Sequence, residues 1–270
     1  MSITTASILA IVLYLLTAGL LARRLTHGAA AVGEPKMALL TLGFGGIILH
    51  ASVLYQGLFV AQGLNFGIFN ALSAIAWLIS GLILLASITR PLENLAIVIL
   101  PLTSIAMLLE NYLPADHILS ARHSIELRYH ILFSLLAYSL LSIAALQAIL
   151  LFIQEHHLRT KHPGGFIRAL PPLQAMEALL FQIIAAGFIL LTLALITGGL
   201  YMDDIFAQHQ VHKTILSIAA WGVFGILLWG RWHHGWRGRT AIRWTLSGFF
   251  TLLLAYVGVK IVLELILERT

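Results

Sequence analysis

Eight long apolar runs follow one another along the chain, at about 5–22, 37–60, 66–88, 93–110, 127–153, 176–200, 212–230 and 242–267. Each approaches the roughly 20 residues that a helix needs to cross the hydrocarbon core of a bilayer. In lipid no water satisfies the backbone, so a spanning segment either closes its own hydrogen bonds as a helix or joins a closed barrel. None of the runs shows the period-two alternation of a barrel strand. The sequence therefore predicts an all-α polytopic membrane protein, a single domain over residues 1–270 built as a bundle of eight transmembrane helices. Composition agrees, with 10% charged residues against the roughly 25% of a soluble domain.

Lys and Arg in the short loops set the orientation. With the N-terminus outside, the inner loops hold Arg23, Arg24, Lys36, Arg90, Arg159, Lys161, Arg168, Arg231, Arg237, Arg239 and Arg243, and the outer side keeps Arg122, Arg128, Lys213 and Arg269. That bias predicts periplasmic N- and C-termini in a bacterial inner (cytoplasmic) membrane. The first apolar run precedes its charges and shows no cleavage site, so it is expected to stay as the first span. The net charge of +5 and the aromatic-basic stretch "GRWHHGWRGRTAIRW" invite a nucleic-acid reading. Trp and Arg at helix ends are instead the side chains that meet the lipid interface, so no nucleic-acid partner is expected.

The chain has no cysteine, which excludes disulfides, thiolate metal sites and covalent attachment of a c-type haem. A bound cofactor would have to be held by histidine, methionine or oxygen. No glycine-rich phosphate loop or serine elbow is present, so neither an ATPase nor a hydrolase is indicated and no catalytic residue is assigned.

Two outer loops concentrate histidine. "ENYLPADHILSARHSIELRYHILF" carries His117, His123 and His130, and "MDDIFAQHQVHKT" carries His209 and His212. His123 and His130 share a helical face if the fifth span starts early. Glu126, four residues before His130, is placed to accept its ring N–H and leave the other nitrogen free for a metal. His209 and His212 also share a face at the head of the seventh span. Histidines at such spacings arise in solvated loops as well, and spacing alone does not choose.

Polar groups inside the spans are costly in lipid and usually face the bundle interior. His50 in "GGIILHASVLYQG" is a candidate ligand. Lys260 and Glu264, four apart in the eighth span, are placed to pair or to touch a partner; Asn70 and Ser73 in the third span and Gln182 in the sixth are milder cases. A transporter would line the full membrane depth with such groups, but the inner halves of the spans read as almost entirely apolar.

The run "RALPPLQAMEALLFQIIAAGFILLTLALITGGLY", followed by "AWGVFGILLWGRWHHGWRGRTAIRWTLSGFFTLLLAYVGV", resembles the C-terminal half of the cytochrome c assembly family, which includes the membrane haem handlers CcsA and CcmC. The resemblance extends more weakly through "HASVLY", "FNALSAIAW" and "YHILFSLLAYSLLSIAALQAILL". It implies haem binding or delivery at the periplasmic face through histidine ligands, with no bond chemistry, and His130 matches the family's first outer histidine. The chain departs from the pattern in the loop between spans six and seven, where the family's tryptophan-rich motif is replaced by "MDDIFAQHQVHKT". Two further family histidines fall at Trp229 and near Leu267. The resemblance is thus to a branch without the tryptophan-rich loop, in which His209 or His212 would replace the lost ligand opposite His130. A second expectation follows from the same losses: a non-catalytic membrane subunit, without haem, that contacts a membrane or periplasmic protein partner such as an ion transporter through Lys260 and Glu264.

Overall fold

The computed structural model describes residues 2–28, 33, 35–60, 63–113, 118–120, 125–160, 170–201 and 211–258. Within them the chain is nearly all helix: α1 (Ile3–His27), α2 (Lys36–Leu58), α3 (Ile68–Thr89), α4 (Glu93–Tyr112), α5 (Ile125–Arg159), α6 (Leu173–Tyr201), α7 (Val211–His234) and α8 (Gly238–Leu253). Seven of these, α1 to α7, are long and apolar enough to cross a membrane. The 16-residue α8 continues as a π-helical turn over Leu254–Gly258. Residues 259–267, expected to complete the eighth span, lie outside the described residues, as do Lys260 and Glu264.

The all-α expectation needs one amendment. Strands β1 (Phe59–Val60), β2 (Gly63–Asn65) and β3 (Ile118–Ser120) form a small antiparallel sheet in the order β1-β2-β3. Strands of two and three residues are too short for alternation to reveal.

Contacts divide the chain into two compact units, Met1–Ala121 with Gly164–Leu170, and Arg122–Pro163 with Pro171–Thr270. In unit 1, α1 packs on α2 and α4, and α3 packs on α2 and α4. The four helices close a ring in which chain neighbours run antiparallel. Gly46 on α2 makes room in it, since a Cβ there would lie 2.8 Å from the Tyr14 ring. Unit 2 repeats the plan, with α5 on α6, α6 on α7, α7 on α8 and α8 on α5.

Small polar side chains reach deeper into unit 1 than the sequence suggested. Ser73, Ser80 and Ser87 recur every seventh residue on α3 and are fully buried, as are Thr17, Asn94 and Thr103 or nearly so. Ser80 and Thr103 bond to each other at 2.6 Å. The half of this unit away from the sheet is therefore lined by small polar side chains that serve close packing, where the sequence read as almost entirely apolar. Gln182 is exposed. Among the described residues of unit 2 the buried glutamines are Gln147 and Gln154, whose amides donate to Met176 O and Pro171 O at 3.2 and 2.9 Å.

Candidate functional site

His130 lies near the N-terminal end of α5, against the C-terminal end of α6. Its Nδ1 is 2.8 Å from the carbonyl oxygen of Ala194. A carbonyl only accepts, so Nδ1 carries the hydrogen and Nε2 keeps its lone pair. Thr197 also donates to Ala194 O, at 3.1 Å. The imidazole reaches this carbonyl because residue 198 is glycine: a Cβ at Gly198 would lie 2.9 Å from His130 Cε1 and 3.1 Å from Nδ1. At Gly199, one residue on, a Cβ would meet nothing within 4 Å among the described residues. The ring is half-buried, and its orientation is fixed from behind by a neutral acceptor. This is the arrangement by which proteins set the tautomer and raise the basicity of a metal-binding histidine. The acceptor of Nδ1–H is thus Ala194 rather than Glu126, whose side chain lies outside the described part.

His212 sits in the first turn of α7 and is exposed. Trp221 Nε1 donates to Thr192 Oγ1 at 2.9 Å and Arg231 Nη1 to Glu177 Oε1 at 2.9 Å, so α7 runs antiparallel to α6 and its head lies at the end of unit 2 that holds His130. His209, His117 and His123 fall outside the described residues.

His50 is fully buried in unit 1 and both ring nitrogens are taken up. Nδ1 is 3.2 Å from Tyr14 Oη and Nε2 is 2.9 Å from Ser73 Oγ. Asn70 acts on the backbone, its amide donating to Gly57 O at 3.4 Å and Asn65 O at 3.2 Å, which ties α3 to the hairpin of β1 and β2. Among the described residues no group of three or more His, Asp and Glu side chains is placed to hold a metal ion. A porphyrin needs less, because its own nitrogens supply the equatorial ligands and the protein adds one or two axial ones.

Sequence reasoning missed the elements that seat His130. Ala194 acts through its backbone carbonyl, which has no residue signature, and Gly198 acts through what it lacks. The "ITGG" string carried the only trace.

The family described as Cytochrome C assembly protein matches residues 39–267. The chain belongs to that family. It is 33% identical to the inner membrane protein YpjD of Escherichia coli K12 over 229 residues, covering 85% of this chain and 86% of that one. An uncharacterized 28.8 kDa protein of Azospirillum brasilense is 35% identical over 156 residues, 57% of this chain and 58% of its own. The cytochrome c biogenesis protein CcsA of Prochlorococcus marinus MIT 9515 is 32% identical over 89 residues, 32% of this chain and 28% of its own. No solved structure matches. Family membership, the match to an inner membrane protein along most of its length and the apolar helices make this a multi-pass protein of the inner membrane.

Proposed function

We propose that the chain binds haem at the periplasmic end of unit 2, with His130 Nε2 as an axial ligand, and holds it there for delivery. The observation that carries this reading is the Nδ1–H···O bond of His130 to Ala194. That bond fixes the tautomer in which His130 Nε2 keeps its lone pair. Haem, as the cargo, brings an iron with axial positions to fill. His212, exposed at the same end of the unit, is the side chain placed to fill the second position, with His209 as its neighbour in the chain. Loop charges support the periplasmic assignment, which puts both termini outside. His50 supports the reading by contrast, since its nitrogens are engaged with Tyr14 and Ser73.

The test is a haem titration of the purified chain in mild detergent, read by absorption. A stoichiometric Soret band with sharp reduced α and β bands is expected for the wild type. His130→Ala is expected to remove it at unchanged helix content, and His212→Ala to shift it to a five-coordinate form. A flat visible spectrum from folded wild-type protein would sink the proposal.

A further inference from the structure

The end of unit 2 away from His130 carries a small recess where α5, α6 and α8 meet. Its walls include Leu151 and Glu155 of α5, Glu177 and Leu180 of α6, and Gly238 and Ile242 of α8. The enclosed volume is about 10 Å3, close to the lower limit for one water-sized group. The two carboxylates that line it are not alike. Glu177 is paired: Arg231 Nη1 donates to its Oε1 at 2.9 Å, and the same guanidinium is held by Trp236 O at 3.0 Å and lies 4.6 Å over the Phe181 ring. Glu155 has two guanidiniums near it and neither in bonding range, since Arg159 Nη1 and Arg239 Nε both lie 3.9 Å from its Oε1. Its other oxygen, Oε2, is buried without a hydrogen-bond partner among the described residues. That oxygen lies 3.7 Å from where a Cβ on Gly238 would stand.

A surface ion pair does not account for this arrangement. Such a pair brings nitrogen and oxygen to about 2.8 Å, whereas both contacts to Glu155 stop at 3.9 Å and its second oxygen is buried. A carboxylate oxygen shut away from water without a donor is costly, so the recess calls for a donor small enough to enter it. Arg159 and Arg239, with side chains 61% and 53% exposed, keep donors for an anion just outside. The site thus pairs a carboxylate that lacks a donor with two guanidiniums that lack an acceptor in bonding range, at helix ends where the chain meets lipid headgroups.

We propose that this recess is a headgroup site for a phospholipid bearing a primary amine, with the ammonium beside Glu155 and the phosphate on Arg159 and Arg239. The ammonium donates to Glu155 Oε2 from within the recess, and the phosphate, two carbons away, accepts from the two guanidiniums. A headgroup with a phosphate and no amine leaves Oε2 without its donor. A quaternary amine has no N–H to give, and its three methyl groups exceed a water-sized space. The bilayer delivers the amine tethered and at high local concentration, which a free amine in water lacks. Loop charges assign this end of the unit to the cytoplasmic leaflet. The site lies wholly within unit 2 and is independent of the haem reading.

The experiment is native mass spectrometry of the full-length chain in detergent, after incubation with phosphatidylethanolamine, phosphatidylcholine or phosphatidylglycerol. The wild type is expected to retain one phosphatidylethanolamine roughly tenfold over either of the others, the effect of one hydrogen bond between charged groups. Glu155→Gln keeps the size of the side chain and is expected to abolish that preference. Arg239→Gln is expected to weaken retention of phosphatidylethanolamine and phosphatidylglycerol together, and His130→Ala to leave the ranking unchanged. Equal retention of the three lipids by the wild type would overturn the proposal, and so would a preference that survives in Glu155→Gln. Displacement of phosphatidylethanolamine by free ethanolamine would also overturn it, because the recess would then be a site for a soluble amine. If Glu155→Gln fails to fold, judged by its helix content, the wild-type ranking and the ethanolamine competition decide.

Discussion

The two units share a plan and differ in what they do with a histidine. Each is a closed ring of four helices, and each seats a ring system against a glycine on the facing helix: Tyr14, the partner of His50, against Gly46, and His130 against Gly198. His50 is sealed, with a hydroxyl on each nitrogen. His130 has one nitrogen tied to a backbone carbonyl, which leaves the lone pair on the other. A histidine satisfied on both sides joins helices together; one satisfied on a single side keeps a lone pair with which it can bind a ligand. The same residue type at membrane depth thus carries opposite meanings, and the second hydrogen bond is what separates them.

Substitutions that exchange these roles test the comparison. The largest stability effect is expected for His50→Ala, which empties a fully buried site and strands the Tyr14 and Ser73 hydroxyls. The cost is about 3–5 kcal/mol, measured as a lowered thermal midpoint in detergent, while the folded fraction keeps its haem affinity. Gly46→Ala and Gly198→Ala come next. Each places a methyl under 3 Å from a ring, and such overpacking costs about 1–3 kcal/mol. Their readouts should diverge, because only Gly198→Ala displaces the His130 ring and lowers haem affinity. Equal haem loss from both would mean that the two units are not functionally distinct. The smallest effect is expected for Ser80→Ala, about 1 kcal/mol, since Thr103 keeps a second contact to Ala76 O at 3.3 Å; it should leave haem binding unchanged.

Hydropathy made the helices legible, because lipid demands long apolar runs and punishes anything else. Their ends were less so. α5 runs to Arg159 and α7 to His234, well past the apolar windows, since helix propensity does not stop where the bilayer does. Pro101 lies inside α4 without ending it. The sheet escaped notice because its strands are shorter than any readable period. His130 was visible from its neighbours in sequence, but the groups that give it chemical meaning lie 64 and 68 residues away in the chain, as a carbonyl and a missing side chain. His50 was visible only as a polar residue in lipid, and no sequence pattern pairs it with Tyr14 and Ser73 on two other helices. Sequence exposes which groups are unusual, whereas their hydrogen-bond partners, set by helix packing, decide what they do.

The central claim is that haem reaches this chain through a pre-oriented imidazole at position 130. It is tested most directly by His130→Gly, which leaves an imidazole-sized space facing Gly198 and the Ala194 carbonyl. Haem absorption should be lost in this variant and restored when free imidazole is added, while wild type gains nothing from imidazole. A Soret band in His130→Gly as strong as in the wild type, with no response to imidazole, would contradict the account.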